Sequence, residues 1–326
     1  MICLGIESTA HTFGVGIVTD KGKVLANVID AFKTEKGGLI PHELGVHHEE
    51  VKDKVLQDAL EKANIELKDI DLVSFSQGPG IAPALLVGMR LAKDISKKNK
   101  IPIVGVNHCV AHLEIGKFLE KAHDPVLLYA SGANTQIIAY EAGKYRIFGE
   151  TLDQGIGNFI DAFGRYIGLG FPGGPKIEKI ALKGKNYVQL PYVVKGMDVS
   201  FSGILTDLKK KFDSKEYKLG DLCFSLQETV FAMLIEVSER AMAHTGKKEL
   251  LLGGGVACNK RLREMCNIMC KERNAKLFVP ENQFLVDNAA MIAWLGILMK
   301  KNATKKYNTL DISPYERTDD VKVNWK

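Results

Sequence analysis

The sequence has no long hydrophobic run, and its first residues do not resemble a secretion signal. None of its apolar stretches approaches the ~18 residues that a membrane helix needs. The start MICLGIEST lacks a basic region followed by a cleavage site of small residues. We interpret it as the first strand of the fold. The sequence therefore predicts a cytoplasmic protein with no membrane contact.

Cysteine and arginine are also scarce. The six cysteines include no C-x-x-C pair, which excludes a zinc ribbon, and their scattered positions give no reason to expect a disulfide framework. Of the 44 basic residues, 36 are lysine. The net charge of +5 is weak evidence for nucleic-acid binding, because a lysine-rich solvated surface produces the same count.

What the sequence does contain is a plan that occurs twice. Residues 2–106 and 125–280 each predict a strand pair around a small polar turn, then helix, strand, glycine loop, helix and strand. The length of 326 residues fits two domains. We predict an α/β protein with domains at 1–124 and 125–326, the second carrying a helical insertion and a C-terminal helix that can pack back on the first. Two such domains would enclose a cleft at their strand ends.

Four small-residue turns lie at equivalent points of this doubled plan. Small residues let backbone N–H groups approach phosphate oxygens, and hydroxyl groups add donors. One such turn is explained by tight backbone geometry alone, whereas four favour a nucleotide cleft. None has the spacing of a P-loop. The turns are Glu7-Ser8-Thr9, Gln77-Gly78-Pro79-Gly80, Ser131-Gly132-Ala133-Asn134-Thr135 and Gly253-Gly254-Gly255.

A fifth glycine-rich element, GLGFPGGPKIEKIA at 168–181, leads into a helix whose first turn suits Pro175. Glu178 would lie one turn into this helix. It is either an acceptor for ribose hydroxyls that faces the cleft or an exposed helix residue.

Two histidines are the strongest candidates for a metal site. His108 and His112 lie four apart at the start of a predicted helix, so they either chelate one ion or merely share a helical face. Cys109 follows the first histidine, so the H-E-x-x-H pattern of a metalloprotease and its glutamate base are missing. Asp287 begins an apolar helix over 284–299 and is either its cap or a further ligand.

Eight stretches in this order resemble one family. It is the universal tRNA threonylcarbamoyladenosine-forming transferase family, in the archaeal and eukaryotic branch of the KEOPS complex, formerly mislabelled as a sialoglycoprotein endopeptidase. The stretches are SQGPG, GVNHCVAHLEIG, YASGANTQ, FGETLDQGIGN, GFPGGPKIEK, KGMDVSFSG, GGVACNKRLREM and DNAAMIAW. The resemblance runs from GIESTAHTFGVGIV to RTDDVKVNW, which is nearly the whole chain.

The resemblance implies a fold and an activity. The family fold is similar to actin, sugar kinases and heat-shock-type ATPases, with two RNase-H-like halves around a nucleotide cleft. The implied reaction moves a threonylcarbamoyl group from threonylcarbamoyl-adenylate to N6 of the adenosine 3′ of the anticodon, in tRNAs that read codons beginning with A. The alternatives are an actin-fold ATPase, which would not need the histidine pair, and a non-catalytic scaffold of the same complex.

The resemblance also implies site residues. One divalent metal would be bound by His108, His112, Tyr129 and Asp287; iron is usual in the archaeal branch, and Zn, Mn or Mg also suit these donors. The adenylate would be held by Tyr129, Ala130, Ser131, Gly132, Ala133, Asp161, Gly174, Glu178 and Asn259. Further nucleotide-loop candidates are Glu7, Ser8, Thr9, Gly253, Gly254 and Gly255. No general base is assigned.

Several positions depart from the family pattern. Ser8, Ala133 and Ala289 stand where glycine is usual, and Lys260 stands where asparagine is usual. A positive φ at Ala133 would cost roughly 1 kcal/mol. Its methyl group would also narrow the approach to a phosphate.

The implied partners are the tRNA anticodon loop, a KEOPS kinase/ATPase subunit, a small dimerising subunit and accessory subunits. The modest charge predicts that these proteins supply part of the tRNA-binding surface. Because the sequence ends at VNWK, we expect the kinase as a separate chain or a trimmed fusion.

Overall fold

A computed structural model describes residues 1–34 and 39–325. In chain order the elements are β1 (Ile2–Glu7), β2 (Thr12–Thr19), β3 (Val24–Ala31), α1 (Pro41–Ala63), β4 (Leu72–Gly78), α2 (Ala82–Asn99), β5 (Ile103–Asn107), α3 (His108–Glu120), β6 (Val126–Ala130), β7 (Thr135–Glu141), β8 (Lys144–Glu150), α4 (Ile156–Tyr166), α5 (Gly174–Ala181), β9 (Val194–Lys195), β10 (Asp198–Val199), α6 (Ser202–Ser214), α7 (Leu219–Thr245), β11 (Glu249–Gly253), α8 (Lys260–Glu272), β12 (Lys276–Phe278), α9 (Asn282–Leu285) and α10 (Ala289–Leu298).

Two five-stranded sheets repeat one topology. The first has the order β3-β2-β1-β4-β5 and the second β8-β7-β6-β11-β12. In each, the first three strands are antiparallel neighbours and the last two pair parallel. The α/β fold with a doubled plan is thus confirmed. The third strand of each half, β3 and β8, was not predicted, and neither was α6.

The strands that precede the four small-residue turns are almost entirely buried. Every residue of β6 is buried, and in β1 only the first is partly exposed. Parallel strands covered by helices on both faces are continuously apolar. This is why runs such as VLLYA at 126–130 are found in the centre of a sheet.

Helix α10 returns to the first sheet, where it packs against β1 and β2. Its backbone comes so close that a Cβ atom on Gly5 would lie 2.7 Å from the carbonyl oxygen of Ala289. A Cβ atom on Gly16 would collide with the peptide joining Ala289 and Ala290. Two strand glycines therefore allow the approach, which brings the N-terminal end of α10 and the preceding Asp287 to the cleft.

The segment after α10 follows the first half of the molecule. Thr304 pairs with Ile103 at the free edge of β5, and the amide of Ser313 donates to the carbonyl of Gln77 at 2.8 Å. The Trp325 indole donates to Glu114 in α3 at 2.9 Å. The domain boundary at residue 124 stays a prediction. Among the described helices, none combines the length and apolar character that a bilayer crossing requires.

Candidate metal and nucleotide site

The four small-residue turns all follow the carboxyl ends of strands, after β1, β4, β6 and β11. Within each half the turns touch in pairs. The amide of Ile81 donates to the carbonyl of Thr9 at 2.7 Å, and Gly254 lies against the peptide between Ala130 and Ser131. The turn after β4 is covered by the C-terminal segment, since the Gly80 amide donates to Pro314 at 3.1 Å.

Three side chains of the kinds that bind metal ions come together from distant parts of the sequence. His108 and His112 lie in α3, and their Nε2 atoms are 3.3 and 3.5 Å from Oδ1 of Asp287. One ligand atom from each of the three lies within 4.8 Å of the others. The histidine side chains are 5% and 0% exposed and that of Asp287 17%, so the cluster opens to solvent only on the aspartate side.

Asp287 is not the helix cap that one interpretation predicted. The N-cap of α10 is Asn288, whose side chain accepts from the amide of Met291 at 3.0 Å. Because Asn288 satisfies the helix end, the Asp287 carboxylate is free to face the histidines. This geometry favours the other interpretation, a carboxylate ligand.

Glu7 orients His108. Its carboxylate is wholly buried, and Oε2 lies 3.0 Å from Nδ1 of His108. Its other oxygen accepts from the Thr9 amide at 2.7 Å and the Thr9 hydroxyl at 2.5 Å. A carboxylate at Nδ1 holds the proton there and leaves the Nε2 lone pair for an ion. The Glu7 and Thr9 side chains therefore face the histidine side of the site, and their predicted place in a nucleotide loop stays a prediction.

The electrostatics of this cluster suit a cation. Burial opposes protonation of His108, but the carboxylates of Glu7 and Asp287 outweigh it and raise the pKa of His108 well above its usual value. Burial lowers the pKa of His112. Burial also opposes ionisation of Asp287, yet the imidazoles of His108 and His112 beside its carboxylate hold its pKa well below the usual range. The buried carboxylate of Glu7 and the partly buried carboxylate of Asp287 thus favour positive charge at this cluster.

His112 shows most directly that an ion fits. Both of its ring nitrogens are buried, and neither has a hydrogen-bond partner among the described residues. An unsatisfied buried imidazole costs about 1–3 kcal/mol, and a coordinate bond at Nε2 would remove part of that cost. Two imidazoles and a carboxylate are a donor set for a divalent transition metal.

Tyr129, the fourth predicted ligand, closes the cluster from the second sheet. It is 1% exposed, and its ring centroid lies 5.1 Å from that of His112 and 6.4 Å from that of His108. Burial raises the pKa of Tyr129 well above 10. Its position in β6 places it between the histidines and the turn that begins at Ser131.

The turn after β6 offers free amides. The Ser131 amide donates to the carbonyl of Asn134 at 2.9 Å, and the Asn134 amide donates to the Ser131 hydroxyl at 3.1 Å. Within the described ranges, the amides of Gly132 and Ala133 have no acceptor, and both residues are exposed. Ala133 does not have a positive φ, so the strain considered for this alanine does not arise.

Ser8 was also predicted in the nucleotide loop, and its side chain is buried in the structure. The hydroxyl is buried without a partner among the described residues, and it lies beneath Gly88 of α2. The Ser8 amide is used as well, because it donates to the Ser76 hydroxyl at 2.9 Å.

The turn after β11 depends on glycine. Gly254 has a φ of +88°, and a Cβ atom there would collide with the Ala130 carbonyl and lie 2.9 Å from the Ser131 amide nitrogen. A left-handed backbone without a side chain is therefore required at this position. Gly254 lets the third and fourth turns form one wall.

Three predicted substrate side chains are ordered by bonds inside the protein. Asp161 accepts from the amides of Gly173 and Gly174 at 2.7 and 3.3 Å, and burial raises its pKa. Glu178 accepts from the Lys260 amide at 2.9 Å. Asn259 is the N-cap of α8 and donates to Gln227 at 2.6 Å. Gln227 was not predicted, and its place on an apolar helix gave no signal.

A family model for tRNA N6-adenosine threonylcarbamoyltransferase matches residues 23–294. The chain belongs to this family. Its activity is the transfer of a threonylcarbamoyl group to N6 of an adenosine in tRNA, and the predicted activity is confirmed.

Relatives in this transferase family match the whole chain. The tRNA N6-adenosine threonylcarbamoyltransferase of Thermococcus kodakarensis is 55% identical over 326 residues, all of both chains. A relative from Methanocaldococcus jannaschii is named "Probable bifunctional tRNA threonylcarbamoyladenosine biosynthesis protein"; it is 52% identical over all of this chain and 60% of its own length.

Solved structures of other proteins share the fold. T. kodakarensis HypF superposes with a TM-score of 0.66 at 15% identity, over 92% of this chain and 48% of that one. Component A of the Acidaminococcus fermentans (R)-2-hydroxyglutaryl-CoA dehydratase gives 0.59 at 14% identity, over 92% and 98%. These likenesses confirm the predicted fold class and carry no further conclusion about chemistry.

Proposed function

We propose that the chain takes the threonylcarbamoyl group from threonylcarbamoyl-adenylate and transfers it to the adenosine 3′ of the anticodon, in tRNAs that read codons beginning with A. One observation carries this proposal. The histidines of the cation cluster pack against Tyr129, and the turn with free amides begins two residues after Tyr129, so a single ligand with a phosphate and an acyl group could touch both.

The ion would be held by His108, His112 and Asp287, with Tyr129 beside them. We propose iron, with Zn, Mn or Mg as the other ions these donors suit. When bound, such an ion supplies Lewis acidity and a fixed point for oxygen atoms of the substrate. Glu7 keeps His108 in the tautomer that leaves Nε2 available.

The protein groups around the second half would bind and orient the adenylate. The free amides of Gly132 and Ala133 would donate to phosphate oxygens and stabilise charge as it develops on the leaving group. Glu178 and Asn259 would border the ribose, and Gly253–Gly255 would line the adenine. Asp161 and Gly174 hold the glycine-rich loop closed beside them.

The transfer reaction can be written in full without a general base from the protein. The N6 amine of the tRNA adenosine attacks the carbamoyl carbon, and a C–N bond forms. The bond from that carbon to the phosphate oxygen breaks, and AMP leaves with the electron pair. The amine loses its proton to solvent after attack. Positioning and electrostatic stabilisation supply the catalysis.

We further propose that the chain acts in the cytoplasm, where tRNA is available, as the catalytic subunit of a KEOPS-type complex. Its partners would be a kinase/ATPase subunit, a small dimerising subunit and accessory subunits. The bifunctional relatives support this proposal, because this chain accounts for only 60% of the Methanocaldococcus jannaschii protein. The remaining length can hold a second function.

A transfer assay tests the proposal. Each reaction would contain threonylcarbamoyl-adenylate labelled in its threonine, tRNA and the partner subunits. Three proteins would be compared: the unaltered chain, the His108→Ala/His112→Ala variant, and the control His123→Ala, which changes an exposed histidine. We expect label in tRNA with the unaltered chain and the control, and about 100-fold less with the double variant. Equal label from all three would contradict the role of the cluster. If the unaltered chain gave no label with partner subunits that support the T. kodakarensis relative, the proposal that threonylcarbamoyl-adenylate is the donor would be contradicted.

A further inference from the structure

The net charge of the protein is concentrated in one segment. Residues 176–218 contain ten lysines, no arginine and five acidic residues, an excess of five that equals the +5 of the whole chain. The remaining residues are neutral in sum. The segment runs from α5, which holds Glu178, through β9, β10 and α6 to the start of α7. It therefore begins at the proposed ribose side of the cleft and leads away from it.

This segment forms an open pocket of about 690 Å³ in the second half. We call it the tyrosine–lysine pocket. The side chains around it combine aromatic rings, ammonium groups and amides with two carboxylates, and Tyr187 is 55% and Tyr217 39% exposed. Its lining includes Asn186, Tyr187, Gln189, Lys211, Glu216, Tyr217, Lys218 and Asp221.

The floor of the pocket is fixed from below. Asp221, at the start of α7, accepts from the amides of Lys185 and Asn186 at 2.8 and 3.1 Å. One turn later, the Ser225 hydroxyl accepts from the amide of Val188 at 2.7 Å. These bonds hold residues 185–188 in one conformation, so Tyr187 is presented on an ordered backbone.

Three lysines in or next to the pocket lining form no ion pair within the described residues. Within residues 1–34 and 39–325, no carboxylate lies within 4.0 Å of the ammonium groups of Lys185, Lys215 or Lys218, all of which are exposed. Lys211 does pair with Asp207, at 2.5 Å. Nearby, the Lys209 ammonium lies 4.8 Å from the centroid of the Tyr166 ring. Unpaired lysines beside exposed rings are the elements with which proteins bind single-stranded nucleic acid.

We propose that the tyrosine–lysine pocket is a tRNA-binding surface outside the reaction site. Lysines 185, 215 and 218 would contact backbone phosphates, and the ring of Tyr217 would stack on an unpaired base. The Asn186 and Gln189 amides would meet its polar edge. An acidic protein would also be attracted by the lysines. Binding of such a protein, however, would not explain why two tyrosine rings are exposed around an ordered polar pocket.

Binding of tRNA to the full chain tests this proposal. The triple variant Lys185→Gln/Lys215→Gln/Lys218→Gln would be compared with Lys54→Gln/Lys271→Gln/Lys305→Gln, which removes three exposed lysines elsewhere. We expect the pocket variant to bind tRNA about tenfold more weakly, and the slope of log Kd against log salt to fall by about two. The control should keep both values near those of the unaltered chain.

A second pair of variants tests the ring. Tyr217→Leu should weaken tRNA binding about fivefold or more, and Tyr217→Phe should restore it, because stacking needs the ring and not the hydroxyl. The proposal is overturned if the pocket lysines can be removed without a change in Kd or salt slope. It is also overturned if the control triple variant loses as much affinity for tRNA. A pocket variant that binds polyglutamate more weakly but binds tRNA normally would overturn it as well. None of these readouts depends on transfer activity.

Discussion

The turns after β1 and β6 occupy the same place in two sheets of the same topology, yet the first presents a carboxylate and the second presents free amides. The first, Glu7-Ser8-Thr9, is buried and turns its carboxylate toward His108. The second, Ser131–Asn134, is exposed at its tip and leaves the amides of Gly132 and Ala133 free. We propose that one copy of the plan serves a cation and the other an anion. In this proposal the doubled fold gains its function because the two equivalent turns differ.

The largest expected effect comes from removing a ligand on the cation side. His112→Ala should lower affinity for Zn²⁺ by more than about 100-fold, since even groups that only orient a ligand contribute 10–100-fold. Metal content and competition with a chelator measure this loss. His123→Ala is the matched control and should bind metal normally. Normal metal content in the His112 variant would show that the cluster is not the binding site.

Glu7→Gln should have the next largest effect. Glutamine keeps the size of the side chain but loses the charge that fixes the His108 tautomer, so metal affinity should fall about 10–100-fold. The visible spectrum of the Co²⁺ form would report the altered ligand. Glu66→Gln, at an exposed position, is the control. An unchanged metal affinity and an unchanged spectrum would show that Glu7 does not orient the His108 ligand and has only a structural role.

Gly254→Ala tests the anion side. Gly143 has nearly the same φ, +83°, but no atom lies near its Cβ position, so Gly143→Ala isolates the backbone cost of about 1 kcal/mol. Gly254→Ala adds a clash with the Ala130 carbonyl, and we expect a clearly larger loss in urea unfolding together with about tenfold weaker AMP binding. If the two variants were equally stable, the contact between the turns would not be needed.

The smallest expected effect is a difference in stability between the variants Ser131→Ala and Ser8→Ala, which change the serines at equivalent points of the two turns. The Ser131 hydroxyl bonds to both polar backbone groups of Asn134, so Ser131→Ala should cost about 1 kcal/mol of unfolding free energy. The Ser8 hydroxyl is buried without a partner among the described residues, so Ser8→Ala should be neutral or stabilising. Thermal unfolding of the pair measures the difference. A larger loss for Ser8→Ala would mean that its hydroxyl has a partner.

Spacing and composition predicted much of the fold. The i, i+4 histidines and the helix at 41–63 could be read directly, because local patterns determine them. Helix α6 was missed although Ile204, Leu208 and Phe212 recur every four residues; the lysine run beside them drew the interpretation toward a solvated surface.

Side-chain direction could not be predicted in the same way. Glu7 ends a strand that is buried on both faces, so the alternation that tells inside from outside is absent. Asp287 and Asn288 are both good caps, and only the course of α10 against β1 decides which one caps the helix and which one faces the histidines. Such choices depend on contacts between residues more than 100 positions apart.

The most direct test of this division of labour is a double titration by calorimetry, with Zn²⁺ and with AMP, of the unaltered chain, His112→Ala and Gly254→Ala. We predict that His112→Ala loses Zn²⁺ binding and keeps most of its AMP affinity, whereas Gly254→Ala loses AMP binding and keeps Zn²⁺. If each variant lost both ligands together, or if His112→Ala lost only AMP, the assignment of one charge to each half would be contradicted.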